Sequence, residues 1–111
     1  MAGKNPYNIQ IRQSKVGKDL TFLITGGEPH IGGVATAFWV DDKIQVTVTE
    51  LPHHKEGELA KECAETAARE LGITVSVIMG IHIDNATKKE IEDIVQYVRK
   101  EMKEEVRKYK N

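Results

Sequence analysis

The first half of the chain alternates between apolar and polar residues in four short stretches. A period of two is typical of half-buried β-strands. The apolar positions are Tyr7, Ile9 and Ile11, then Leu20, Phe22 and Ile24, then much of residues 31–40, then Ile44, Val46 and Val48. Turn-forming residues separate the stretches at positions 16–19 and 41–43. The pattern therefore predicts four strands that form an antiparallel meander.

The pattern changes to a helical period after residue 55. From about residue 56 to 71 the apolar positions lie on one narrow, alanine-rich stripe, which favours a helix packed closely against the sheet. Gly72 follows as a natural residue for the end of that helix. Residues 73–79 then form an apolar run, which predicts a strand that is central or covered on both faces.

A second helix is predicted from residue 87 to about residue 109. Thr87 and Glu90 have the spacing of a capping box, which satisfies backbone amides at a helix start. The predicted order is β-β-β-β-α-β-α. We therefore expect one α+β domain over residues 1–111, with a mostly antiparallel sheet and two helices packed on it.

Composition narrows the functional classes. The 111 residues are 40% hydrophobic and 30% charged, and their net charge of −1 does not indicate a nucleic-acid partner. No apolar run approaches the ~20 residues that span a bilayer. We expect neither a membrane segment nor a signal peptide, and a cytoplasmic location. The single cysteine, Cys63, excludes an intramolecular disulfide and agrees with a reducing compartment.

Residues 26–35, GGEPHIGGVA, hold four glycines around one carboxylate and one imidazole. One interpretation is a hairpin turn between two strands and nothing more. The other is that the backbone path holds Glu28 and His30 at a site. The choice depends on whether other parts of the chain bring functional groups to the same place.

The predicted topology does bring them together. In a meander the second strand ends, the third begins and the fourth ends at one end of the sheet. A right-handed parallel crossover would end the fifth strand there too. The groups expected at this end are Glu28 and His30, then His53, His54 and Lys55, then His82 and Asp84. All four histidines of the chain are among them.

These groups suit more than one chemistry. His30, His54 and His82 could bind a divalent metal, with Glu28 or Asp84 as a further ligand, although their spacing matches no standard metal motif. His82 and Asp84 could also act as an acid–base pair, but we find no nucleophile to accompany them. The simpler alternative is that each histidine is only a solvated or hydrogen-bonded side chain.

An anionic ligand would suit the same end of the sheet. Both helices are expected to begin there, and helix N-termini favour negative charge. Lys55, Lys88 and Lys89 would add positive charge in the first turns. Cys63 lies on the alanine stripe and is interpreted as a core residue rather than a reactive thiol.

Three motifs make the chain similar to a known family. GGEPHIGGVA at residues 26–35, PHHKE at 52–56 and GIHIDNAT at 80–87 resemble the LpdD-like domain, a family named for a prenylated-flavin chaperone associated with bacterial gallate decarboxylase. The resemblance covers nearly the whole chain, and the motifs occur in the expected order.

The resemblance implies a small accessory protein rather than an enzyme. Such a protein would handle prenylated flavin mononucleotide for a UbiD-like decarboxylase, and its fold would be related to proteasome-assembly chaperones, which often form oligomers. His30, His54, Lys55, His82 and Asp84 would line the ligand or partner surface. Trp39, Phe38 and Tyr7 are the aromatic candidates for stacking on the flavin.

Two other hypotheses stay open beside the flavin chaperone. The first is a small metal-dependent enzyme that uses His30, His54 and His82. The second is an assembly module that homo-oligomerises or binds a partner through exposed strand edges.

Overall fold

The computed structural model describes Asn5 and residues 7–110 as a five-stranded mixed sheet with two helices. The elements are β1 (Gln10–Val16), β2 (Asp19–Gly27), β3 (Gly33–Val40), β4 (Lys43–Glu50), α1 (Gly57–Leu71), β5 (Val75–His82) and α2 (Lys88–Lys110). The predicted α+β order is confirmed. Residues 1–4, on which the expectation of no signal peptide rests, lie outside the described residues.

The predicted meander is wrong. The strands are ordered β1-β2-β5-β3-β4, so β5 lies between β2 and β3. It pairs in parallel with β2 and antiparallel with β3. The physical reason is burial, because Val75, Val77 and Met79 are fully buried and such a strand belongs at the centre of the sheet. Three of the four pairings are antiparallel, as the mostly antiparallel prediction requires.

The strand directions nevertheless agree with the prediction. β2 and β5 run in parallel, β3 runs against β5, and β4 runs against β3. As a result β2, β4 and β5 all end where β3 begins. We call this end of the sheet, with the loops and the helix start that meet it, the site end. The predicted convergence of the functional groups at this end rests on the directions of the strands. It therefore holds although the predicted strand order is wrong.

One face of the sheet carries both helices. Leu20, Phe22 and Ile24 of β2 are fully buried on this face. Helix α1 presents a stripe of small residues to it, and short side chains allow a close approach. The fully buried alanines of the stripe are Ala60, Ala64, Ala67 and Ala68. Helix α2 completes the core with Ile94, Val98, Met102 and Val106.

The ends of the helices follow the sequence signals. Gly72 ends α1 in the left-handed conformation, with φ +67°. At the start of α2 the Glu90 amide donates to Thr87 Oγ1 (3.1 Å), and the Thr87 amide donates to Glu90 Oε1 (2.8 Å). The capping box is therefore confirmed. Within the described residues neither helix is both long and apolar enough to cross a membrane.

Candidate functional site

A short segment crosses the site end. Residues 28–32, which we call the crossing segment, connect β2 to β3 and must pass the end of β5, because β5 lies between those two strands. The Glu28 amide donates to the His82 carbonyl (3.2 Å), and the Gly32 amide donates to the Met79 carbonyl (2.9 Å). Two hydrogen bonds therefore hold the segment against the end of β5.

Gly80 makes this close approach feasible. A Cβ atom built at Gly80 would overlap the backbone carbonyl of His30. The backbone of the crossing segment thus occupies the volume that a side chain would need. The glycine-rich sequence does more than form a turn: it lets one strand connection lie directly on another strand.

Three side chains meet beside the crossing segment. His30 Nε2 lies 3.0 Å from Glu56 Oε2 and 3.2 Å from His54 Nδ1, and His54 Nδ1 lies 3.8 Å from Glu56 Oε1. The side chains of His30, His54 and Glu56 are 23%, 30% and 13% exposed, respectively. We call these three residues the His–His–Glu cluster. The cluster is partly buried, and each of its three side chains keeps some exposure to solvent.

Glu56 is held in place by the backbone around it. The pairing of β3 with β5 stops at Gly33 and Met79. The Ile81 amide of β5 lies beyond this point and therefore needs an acceptor other than β3. The Ile81 amide donates to Glu56 Oε2 (3.2 Å), and the Lys55 amide donates to Glu56 Oε1 (3.0 Å). A side chain at Gly32 would collide with this carboxylate.

His30 is oriented by its own segment. Its Nδ1 lies 3.2 Å from the Glu28 carbonyl oxygen, and its ring centroid lies 4.6 Å from that of His54. A carbonyl oxygen can only accept, so Nδ1 carries the hydrogen of that bond. In the neutral ring Nε2 is then a lone-pair acceptor directed at the cluster.

His82 and Asp84 form a separate, more exposed pair. His82 Nε2 lies 2.9 Å from Asp84 Oδ1, and the two side chains are 48% and 86% exposed. The His82 ring meets the His30 ring edge-on, with centroids 5.9 Å apart. Three imidazoles from three segments are therefore neighbours, as the topology predicted.

The other predicted groups lie at the periphery. The Glu28 side chain is exposed, and its contribution to the cluster is its backbone carbonyl. Lys55 is exposed and contributes its amide. His53 is exposed with φ +65°, outside the cluster. Lys89 pairs with Asp93 (2.9 Å).

The sequence analysis missed Glu56 as a site residue. An acidic residue at a helix start is ordinarily explained by the helix dipole, so its sequence position did not single it out. Some of the amides at both helix starts also have partners within the chain. Gly57 N donates to Glu50 Oε2 (2.9 Å) at α1, and the Thr87–Glu90 capping box closes α2. This leaves less amide capacity for an anion than the sequence suggested.

A separate concave surface lies between the two helices. A groove of about 900 Å³ runs between α1 and α2, and we call it the interhelical groove. Cys63, Met102 and Val106 are buried and line its apolar floor. Burial raises the pKa of the Cys63 thiol to about 12, so this group stays protonated and inert at neutral pH, as expected of a core residue.

Fold and site together define a small α+β protein that presents imidazoles and carboxylates at one end of its sheet. The chain belongs to the prenylated flavin chaperone LpdD-like family, whose family model matches residues 3–110. This confirms the resemblance inferred from the three motifs. The family connects the chain with an accessory role related to prenylated flavin.

A curated relative supports the assignment. Protein LpdD of Lactiplantibacillus plantarum is 31% identical over 88 residues, which cover 77% of this chain. The match spans 65% of the relative's own length. The relative therefore contains a substantial part that this chain does not match.

Proposed function

We propose that this protein binds prenylated flavin mononucleotide at the site end and supplies it to a UbiD-like decarboxylase. The family assignment supports the cofactor, and the convergence of three imidazoles supports the location. The residues that we assign to the ligand surface are Glu28, His30, His54, Lys55, His82 and Asp84.

The arrangement of the rings carries this proposal. His30 contacts the rings of both His54 and His82, and all three side chains are partly exposed. Together they form a polar aromatic surface that offers hydrogen bonds to the heteroatoms of a flavin ring. Lys55 and Lys88 are exposed at the same end and supply positive charge for the phosphate.

The aromatic candidates for stacking divide between the two ends of the sheet. Phe38 and Trp39 lie at the end of β3, far from its start at Gly33. Tyr7 lies at the site end, where its carbonyl accepts from the Gly27 amide (2.8 Å). Burial, followed by the nearby Glu90 and Asp93 carboxylates, raises the pKa of the Tyr7 hydroxyl. Tyr7 is therefore the aromatic residue that we assign to the flavin.

Flavin titration tests the proposal. Metal-free, tag-free protein is titrated with prenylated flavin mononucleotide and with plain flavin mononucleotide under anaerobic conditions, and flavin fluorescence is recorded. We expect saturable binding by the wild type. His82→Ala should raise the Kd by about tenfold or more, equivalent to ~1.4 kcal/mol, because an imidazole that contacts the ligand is removed.

Arg99→Ala is the matched control, since it removes a cation from the interhelical groove and leaves the site end intact. Binding that weakens in Arg99→Ala but not in His82→Ala would move the flavin to the groove. If the wild type binds neither flavin, the proposed function is wrong.

A further inference from the structure

We propose that His30, His54 and Glu56 form a binding site for a divalent transition-metal ion of the zinc type. The ligand atoms would be His30 Nε2, His54 Nδ1 and one carboxylate oxygen of Glu56. One ligand atom from each of the three residues falls within 4.8 Å of the others. This proposal does not depend on flavin binding.

The chemistry of the facing atoms is the first argument. The Glu56 carboxylate carries no hydrogen, and His30 Nε2 is a lone-pair acceptor in the neutral ring because Nδ1 faces the Glu28 carbonyl. These two acceptors are only 3.0 Å apart, and His54 Nδ1 lies 3.2 Å from the same His30 nitrogen. A cation among these atoms would be coordinated by all three side chains, in place of the ring hydrogens that they can otherwise share.

The distances are the second argument. Zinc binds histidine nitrogen at ~2.0–2.1 Å and carboxylate oxygen at ~2.0–2.2 Å, which places neighbouring ligand atoms of a tetrahedron about 3.4 Å apart. The distances from His30 Nε2 to Glu56 Oε2 and to His54 Nδ1 are 3.0 and 3.2 Å. His54 Nδ1 lies 3.8 Å from Glu56 Oε1, the other carboxylate oxygen, so an ion would draw the His54 imidazole and the Glu56 carboxylate closer together.

The surrounding hydrogen bonds are the third argument. Metal-binding histidines usually donate their other ring N–H to a carbonyl or carboxylate, as His30 Nδ1 does to Glu28. The Ile81 and Lys55 amides fix the Glu56 carboxylate and leave lone pairs on both oxygens for an ion. The site is thus oriented before any ion arrives, which lowers the entropy lost on binding.

Three protein ligands leave the fourth tetrahedral position for an exchangeable water or ligand. His82 is the nearest additional imidazole, but its Nε2 is held by Asp84 at 2.9 Å. We therefore assign His82 to the surroundings of the ion and not to its coordination. Two nitrogens and one oxygen suit zinc and cobalt better than magnesium or calcium, which prefer oxygen ligands.

Zinc binding to tag-free protein tests the site. The chain is stripped with a chelator, dialysed, and titrated with zinc chloride by calorimetry. Cobalt chloride is used in parallel, because tetrahedral cobalt has strong visible absorption. We expect one zinc per chain and a tetrahedral cobalt spectrum. Glu56→Gln and His54→Ala should each weaken zinc binding by about tenfold to a hundredfold or more.

His53→Asn is the matched control. It removes the neighbouring imidazole, which lies outside the cluster, and asparagine tolerates the positive φ at this position. Circular dichroism is recorded for each variant. His54→Ala is the safer variant for folding, because the His54 side chain is 30% exposed and that of Glu56 only 13%. His53→Asn and His82→Ala should bind zinc within about threefold of the wild-type affinity, which is ~0.7 kcal/mol.

The proposal is overturned if stripped, folded wild type takes up no stoichiometric zinc, or if folded Glu56→Gln and His54→Ala bind zinc as tightly as the wild type. Loss of zinc in His82→Ala would overturn the three-residue assignment. Because no flavin is present in these titrations, the result is separate from that of the flavin experiment.

Discussion

The site end and the interhelical groove differ in what they offer a ligand. At the site end, backbone segments touch and the polar atoms of His30, His54 and Glu56 converge. The groove is spacious, and two of the cations on its rim have partners within the chain: Arg99 pairs with Glu62 (2.7 Å) and Lys110 with Glu70 (3.8 Å).

The contrast shows that volume and chemistry are separate properties of a protein surface. The groove lies between the two helices, and several of the charges on its rim pair with one another. At the site end a strand connection crosses another strand, which brings His30 Nε2 within hydrogen-bond distance of both His54 and Glu56. Substitutions in each region should therefore have different consequences for stability and for metal binding.

The largest effect is expected at Gly80. Gly80→Ala places a Cβ atom where the His30 carbonyl now lies, so the crossing segment must move. We expect the free energy of unfolding to fall by about 3 kcal/mol or more, a loss typical of forced rearrangement. Urea denaturation measures it, and zinc binding should fall as well because His30 is displaced.

Gly17→Ala is the control for this prediction. Gly17 has φ +62° and no atom near the position of its missing Cβ, so alanine there costs only backbone strain of about 1–2 kcal/mol. Equal losses in the two variants would mean that the crossing segment does not press on Gly80.

An intermediate effect is expected at Met102. This side chain is 5% exposed and lines the groove, so Met102→Ala enlarges a space that already reaches solvent. We expect a loss of about 2 kcal/mol, at the low end for such truncations. Zinc affinity should be unchanged, which separates this variant from Gly80→Ala. A parallel loss of zinc binding would show that the two regions are coupled.

The smallest effect is expected at Arg99. Its two hydrogen bonds to Glu62 (2.7 and 2.9 Å) join exposed side chains, so Arg99→Ala should shift the urea midpoint slightly at low salt. The shift should disappear in about 1 M sodium chloride, where the screening length is ~3 Å. A shift that persists at high salt would show that Arg99 contributes packing rather than charge.

The sequence was sufficient for the elements and for the convergence of histidines. Alternating and helical periods predicted the seven elements in order, and strand direction alone brings His30, His54 and His82 to one end of the sheet. The apolar run of β5 predicted its central character. Its insertion between β2 and β3 was not predicted, because pairing between distant strands depends on which neighbours bury β5 best.

The site was harder to predict than the fold. His53 and His54 are adjacent in the sequence, and only the three-dimensional path of the loop places the second in the cluster. Predicting the role of Glu56 would have required knowing where the pairing of β3 with β5 stops. Its carboxylate accepts a hydrogen bond from the Ile81 amide, which lies beyond the end of that pairing. Side-chain identity suggested candidates, but backbone hydrogen bonding selected among them.

The central position of β5 also has a consequence for the order of folding. The hairpins β1–β2 and β3–β4 can each form locally, yet both halves of the sheet are joined through β5, whose residues pair with β2 across about 55 positions, as Leu20 does with Val75. Contacts so distant in sequence form late and slowly. We therefore expect the His–His–Glu cluster to be assembled only when β5 docks. A ribosome-bound chain that ends before β5 would contain the residues of both hairpins but no assembled cluster.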